Sequence, residues 1–282
     1  MNTPLVSICI PTYNSGKFIK RTLDSVLKQD YKNLEVIVVD DCSKDNTSEV
    51  VEGYQDERLS FYINETNQGL TKNWNNALLR AKGKYVMLLC ADDVIYNNCI
   101  SEEVKALEEN PTATMVISNT HIVNSEDIIT LKIKRLPKEG LYNGKRLAKK
   151  SIRFKNYYGA PNGILFRRFI TDRIGPFDEN LKHIPDYDMW LRLSYEGDVY
   201  YIDKFLSAFR VHNVSNTNKL ITSGRKEFAE EHVYMVKKHM KLNRIKLTNT
   251  DLRIHKTMRS LRSFMVGVFI KYFNNRSLSH DS

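Results

Sequence analysis

Three short apolar runs, LVSICI (residues 5–10), LEVIVV (34–39) and YVMLLC (85–90), each stop abruptly at a polar or acidic cluster. Runs this short and this rich in β-branched residues read as strands buried on both faces, the kind that belong to parallel sheets. The segments between them carry a different period. KFIKRTLDSVLKQD places Phe18, Ile19, Leu23, Val26 and Leu27 at helical spacing, TSEVVEGYQ reads as a short helix, and LSFYIN reads as a further strand. LTKNWNNALLRAKG reads as a helix closed by Gly83. Strand and helix alternating across the first 95 residues predict an α/β fold, a doubly wound and mainly parallel sheet.

Ligands of such sheets bind beyond the carboxyl ends of the strands. Three polar clusters fall at those ends: PTYN after the first run, DDCSKDNT after the second and ADD after the third. The adjacent carboxylates of Asp92 and Asp93 repel one another and need a cation, a set of donors or open water. A hard divalent cation takes oxygen ligands and joins them to a phosphate. The net charge of +10 is concentrated in residues 132–155 and 219–276, which suits either a polyanion partner or a solubilising surface. Those stretches lack interleaved aromatic residues and any nucleic-acid-binding motif, so no nucleic-acid partner is expected. Four cysteines without CxxC or zinc-ligand spacing fit a reducing compartment. The N-terminus has no signal-peptide pattern and no run approaches a membrane span, so a cytoplasmic location is expected.

Five segments in order, VSICIPTYN, LEVIVVDDCSKDNT, NQGLTKNWNNAL, AKGKYVMLLCADD and IPDYDMWLRL, resemble the family 2 glycosyltransferases of the GT-A fold, a Rossmann-like architecture. The resemblance runs from about Val6 to Thr217. It implies that Pro11, Tyr13 and Asp41 hold the nucleotide base, with Asp40 shaping the turn. Asn75 keeps a polar contact near the nucleotide, but Trp74 stands where many members have arginine; Trp74 is expected to pack and Lys72 to supply charge. Asp93 matches the metal-bridging carboxylate, for Mn²⁺ or Mg²⁺, and Asp92 the residue that contacts the ribose. Cys90 stands where many members have another aspartate; as a soft ligand it suits a hard cation poorly.

The same resemblance makes Asp186 the general base, against the alternative that it only caps a helix. Asp188 would point away from it. Asn162, in the Gly159–Gly163 loop, is expected to contact sugar or acceptor. Arg210 is expected to clamp phosphate, and His212 to bind the metal or donate to the diphosphate. The implied activity is inverting, metal-dependent transfer of a sugar, from a UDP-sugar donor, to a saccharide or lipid-linked acceptor in polysaccharide or glycolipid synthesis. A nucleotidyltransferase acting on sugar phosphates shares the sheet and the acidic site, but usually shows a Gly-rich loop with lysine that PTYNSGKF lacks. No QxxRW-type motif supports processive synthesis.

The expected domains are a catalytic unit over 1–217, divided into a nucleotide-binding half (1–95) and an acceptor half (96–217), and a basic helical extension over 218–282. Within the extension, apolar Phe264 to Ile270 is flanked by lysine and arginine. That pattern suits a helix lying on an anionic membrane surface, or one docked on the catalytic unit.

Overall fold

A computed structural model of the chain describes residues 3–212 and 225–261. The first strands are β1 (Val6–Thr12), β2 (Leu34–Asp40), β3 (Leu59–Ile63) and β4 (Tyr85–Leu88), joined by α1 (Ile19–Leu27), α2 (Thr47–Glu52) and α3 (Leu70–Arg80). They lie side by side in the order β3-β2-β1-β4, all parallel. The chain steps outward from β1 to β3 and then returns to the other side of β1. That reversal between β1 and β4 opens a crevice at the carboxyl edge of the sheet.

The period-2 pattern inside each apolar run builds two cores at once. Ile8, Ile10, Val36 and Val38 pack with Leu23 and Val26 of α1 on one face. Cys9, Ile37 and Val39 pack with Trp74, Ala77 and Leu78 of α3 on the other. Each such side chain contributes about 1.5–3 kcal/mol when fully buried, so every position in these runs is committed to the sheet. Trp74 packs as expected, edge-on to Phe177. Gly83 does not close α3, which ends at Arg80. A Cβ on Gly83 would lie 2.7 Å from the Ser7 nitrogen, so this glycine permits close approach to β1 instead.

Beyond β4 the chain forms β5 (Val94–Ile95), α4 (Cys99–Glu109), β6 (Ala113–Val123), β7 (Ile129–Ile133), β8 (Gly140–Tyr142) and α5 (Gly144–Arg153). It continues through β9 (Ile164–Arg167), α6 (Thr171–Ile174), α7 (Pro185–Glu196), β10 (Asp198–Arg210) and α8 (Arg225–Leu242). A last helix, α9, is described over 249–261. The sheet extends from β4 through β9, β6 and β10 to β5. Strand β9 runs antiparallel to both β4 and β6, so β6 and the parallel β10 again end at the crevice. A mostly parallel sheet with C-terminal helices is the observed architecture.

The described part of the basic extension docks on the catalytic unit. Met235 and Val236 of α8 enter the core, and Asp251 of α9 pairs with Arg153 of α5. The boundary expected at 217/218 and the apolar segment 264–270 lie outside the described residues. Among the described residues, no helix is long and apolar enough to cross a membrane.

Candidate active site

At the end of β2 the two aspartates divide their work. Asp40 accepts hydrogen bonds from the Ser43 main chain and hydroxyl, which makes the turn around Cys42 (φ 62). Asp41 accepts from Asn64 Nδ2 at 2.9 Å and from the Gln68 and Gly69 main-chain nitrogens at 2.8 Å each. It thereby folds the loop before α3 over the crevice. Pro11 is buried in β1, while Tyr13 just beyond it is 48% exposed and free to lie against a flat ligand. Asn75 faces elsewhere: its amide donates to Phe177 O and accepts from Phe177 N, pinning the segment before α7. Lys72 is exposed.

A tight turn follows β4, closed by a bond from Asp93 N to Cys90 O. Thr22 of α1 fixes it from below, donating to Ala91 O and Asp93 O. The turn gathers one oxygen from each of Asp92 and Asp93 and the Cys90 sulfur within 4.8 Å of one another. Asp93 is fully buried; its Oδ1 accepts from the Arg210 main-chain nitrogen at 2.8 Å, and its Oδ2 has no protein partner. Burial, then the charge of Asp92, pushes its pKa well above the carboxylate range. His212 Nε2 lies 3.1 Å from Asp92 Oδ2, with its ring tilted at 37° against Phe18, centroids 4.6 Å apart.

A buried carboxylate oxygen without a partner, beside a second carboxylate and an imidazole, fits a hard divalent cation. The Cys90 thiol does not compete as a ligand, because burial and then Asp93, Asp92 and Asp186 raise its pKa and keep it protonated.

The Arg210 guanidinium is fully buried and occupied. It donates to Asp92 O and Asn124 O, pairs with Asp127 and covers the Phe18 ring at 5.2 Å. In this structure it forms the wall behind the acidic turn. Phe18 and Asp127 thus support the site without having stood out in the sequence. Asp127 is 83 residues from Arg210, a separation that leaves no local pattern to read.

Asp186 enters at the second position of α7. The helix N-cap is Ile184, which makes no side-chain cap, and the Asp186 carboxyl accepts from main-chain N–H groups of the first turn. Some of its surface remains open to the crevice, and its charge reaches Cys90 in the acidic turn. Burial is the larger effect on its carboxyl, and outweighs the pull of the Tyr187 and Asp186 main-chain N–H groups, raising the pKa to about 7.

Asp188 points away and is paired throughout, with Arg192 Nε and Lys238 Nζ at 2.7 Å and His239 Nε2 at 3.1 Å. Burial alone would raise its pKa; His239, Arg192 and Lys238 together hold it well below the usual carboxylate range.

Asn162 lies in the turn just before β9, the strand that pairs with β4 on one side and β6 on the other. Gly163 follows with φ 74; a Cβ there would meet Ser207 Oγ at 2.7 Å and Ser118 Oγ at 2.9 Å. Asn162 is 1% exposed, and neither side-chain atom has a partner. The structure therefore brings Asp92, Asp93, His212, Asp186 and Asn162 to one crevice, and leaves Asn75 and the Arg210 head group engaged outside it.

The E. coli protein named UDP-Glc:alpha-D-GlcNAc-diphosphoundecaprenol beta-1,3-glucosyltransferase WfgD is 30% identical over 201 residues, covering 71% of this chain and 73% of that one. The crystal structure of S. aureus TarS 1-349 in complex with UDP-GlcNAc superposes with a TM-score of 0.71 at 24% identity, over 90% of this chain and 71% of that chain. The mannosyltransferase PcManGT from Pyrobaculum calidifontis, in complex with GDP-Man and Mn²⁺, gives 0.61 at 20% identity, over 92% of this chain and 70% of that chain. These structural likenesses establish the GT-A fold. The family model described as Glycosyl transferase family 2 matches residues 7–175, more than half of the chain. The chain therefore belongs to glycosyl transferase family 2 and is a glycosyltransferase.

Proposed function

We propose that the chain transfers a sugar, with inversion, from a UDP-sugar to a hydroxyl of a lipid-linked or polysaccharide acceptor. The observation that carries this reading is the turn of Asp92 and Asp93 at the carboxyl edge of the sheet, with a buried Asp93 oxygen that no group among the described residues satisfies; burial raises the Asp186 pKa to about 7, the range of a general base. Pro11, Tyr13 and Asp41 hold the base: the Asp41 carboxylate, fixed by three donors, accepts from the ring N–H, and Tyr13 lies along its face. Asp92 faces the ribose and is oriented by His212. Asp93 and Asp92, with His212, would hold Mn²⁺ or Mg²⁺, which supplies positive charge for the departing diphosphate.

Asp186 accepts the proton of the acceptor hydroxyl as its oxygen bonds to the anomeric carbon. The bond from that carbon to the diphosphate oxygen breaks on the opposite face, so the configuration inverts. One carboxylate positioned as base suffices for this single displacement. Asn162 contacts the sugar or acceptor beside the reacting carbon. The E. coli relative named for a diphosphoundecaprenol-linked acceptor supports a lipid-linked substrate.

Calorimetric titration with UDP-glucose and UDP-GlcNAc, with and without Mn²⁺, tests the reading. Binding that requires the cation in the parent, and is lost in a folded Asp93→Ala variant, is expected. Equal donor binding by parent and variant would sink the assignment of Asp93.

A further inference from the structure

Arg135, between β7 and β8, is a half-buried cation whose Nε is sealed from solvent and which no carboxylate among the described residues pairs. Its Nη2 donates to Thr120 Oγ1 at 3.0 Å and its main-chain nitrogen to Asn119 Oδ1 at 3.1 Å, but its Nε has no partner. Among the described residues no carboxylate pairs with it; nearby Asp203 is taken by Lys134 at 2.6 Å and by Asn119 and Tyr201. Burial lowers its pKa to about 10, yet a guanidinium with that value stays charged at neutral pH. A partly buried charge left unpaired is unfavourable, so the protein retains it against a penalty that a ligand anion would remove.

The surroundings are built around this head group. Gly159 has φ 100, and a Cβ there would lie 2.3 Å from Arg135 Cζ, so the loop closes on the guanidinium only as glycine. Three residues on, the same loop carries Asn162, whose amide is buried with both polar atoms unpartnered. Behind them runs a line of hydroxyls: Thr120 bonds to Ser207 at 3.1 Å, and Ser118 bonds to Glu103 at 3.2 Å.

The sheet order gives the direction. The nucleotide residues sit over β2 and β1, the acidic turn ends β4, Asn162 precedes β9, and Arg135 packs against Asn119 and Thr120 of β6. Arg135 thus lies beyond β4 on the side away from the nucleotide residues, while Asp93 reaches across to the Arg210 main chain at the end of β10, the strand next to β6.

We propose that Arg135 and Asn162 form a subsite for an anionic group on the acceptor, a phosphate or a sugar carboxylate close to the attacking hydroxyl. The assignment rests on the transferase reading for what occupies the rest of the crevice. Arg135 binds the anion through Nε and the free face of its fork, and Asn162 donates to a neighbouring hydroxyl.

Nuclear magnetic resonance of the ¹⁵N-labelled arginine Nε–H groups reads the site directly. The Arg135 signal is assigned by its loss in Arg135→Lys, and the protein is first saturated with UDP and Mg²⁺. Inorganic phosphate and acetate are then titrated separately, as probes of the phosphate and carboxylate forms. A saturable shift of the Arg135 signal with either probe is expected, and Arg135→Gln should weaken that probe's affinity about ten- to a hundred-fold. The stronger probe identifies the anion class.

No saturable shift with either probe would overturn the subsite. A shift seen in the free protein but abolished by UDP and Mg²⁺ would also overturn it, placing the anion at the diphosphate position. Failure of UDP to bind at all would count against the transferase reading alone, since the Arg135 titration is then read in the free protein.

Discussion

Two acidic regions meet on one helix and are built in opposite ways. Where α7 meets α8, Asp188 is surrounded by Arg192, Lys238 and His239, and Asp178 shares Lys238 at 2.7 Å. Two residues earlier, where α7 begins at the crevice, Asp186 has no cation, and across from it Asp93 and Asn162 keep polar atoms that no protein group satisfies. The first region spends its charges on joining elements. The second holds groups ready for something that is not protein, the pattern expected where ligands bind.

The sharpest way to break this contrast is to neutralise each aspartate in turn. Asp186→Asn keeps size and helix start but cannot take a proton, so kcat should fall by about 10²–10⁴. Donor affinity should stay near the parental value, and the urea midpoint at neutral pH should not fall, because the amide removes the cost of a buried carboxylate charge. Single-turnover kinetics and donor calorimetry on the same preparation check both halves. Near-parental turnover would return the search for the base to the other crevice carboxylates.

Asp188→Asn should do the reverse. It leaves Arg192 and His239 buried without their carboxylate, while Lys238 keeps Asp178, a loss of about 3–5 kcal/mol for one partner of a buried pair. Urea unfolding followed by circular dichroism measures this directly. Donor affinity of the folded fraction should be unchanged, and a variant as stable as the parent would show the seam to be solvated.

Changes in pH sharpen the contrast further, because the two shifts have opposite signs. The raised pKa of Asp186 means that its ionised form is available only above about 7. Activity should therefore fall about tenfold per pH unit below that value, and Asp186→Asn should flatten this limb. For stability, the Asp186 contribution is complete below its ordinary value of 3.8 and is lost as pH rises through about 7. Asp188, held below 3.8, contributes above that value and loses its contribution as pH falls through its folded pKa. Urea midpoints from pH 3 to 8, for the parent and each variant, separate the two slopes.

The nucleotide half was the more legible of these regions. Its strands are continuous apolar runs that end in Asp41 and in Asp92–Asp93, so period and punctuation lie within a few residues of each other. Asp186 was expected from the family resemblance of IPDYDMWLRL rather than from strand period and punctuation. What stayed hidden depends on partners far along the chain. The clamp on Asp188 comes from α8, 50 residues away, and the wall behind Asp93 needs Asp127 to engage Arg210. Asn75, read as a nucleotide contact, bonds instead to Phe177, 102 residues on. Antiparallel β9 joins β4 to β6 only because residues between α5 and α6 return through the sheet, which no local pattern announces.

The smallest expected effect compares two buried asparagines. Asn73 donates to Val39 O at 2.9 Å and to Thr12 O at 3.3 Å, and accepts from Asn64 at 3.0 Å. Removing it with Asn73→Ala leaves those groups unpaired in the core, at a loss of about 1–3 kcal/mol. Asn162 is equally buried, but its amide satisfies nothing in the protein and carries a desolvation penalty of its own. Asn162→Ala removes that penalty together with a few packing contacts, and the two effects oppose each other. Its urea midpoint should correspond to within ~1 kcal/mol of the parent, since no hydrogen bond is broken. The loss should appear in kcat/KM instead, by about two- to tenfold for one substrate hydrogen bond. If Asn162→Ala unfolds as readily as Asn73→Ala, its amide has a protein partner in solution, and the crevice is less open at that point than its geometry indicates.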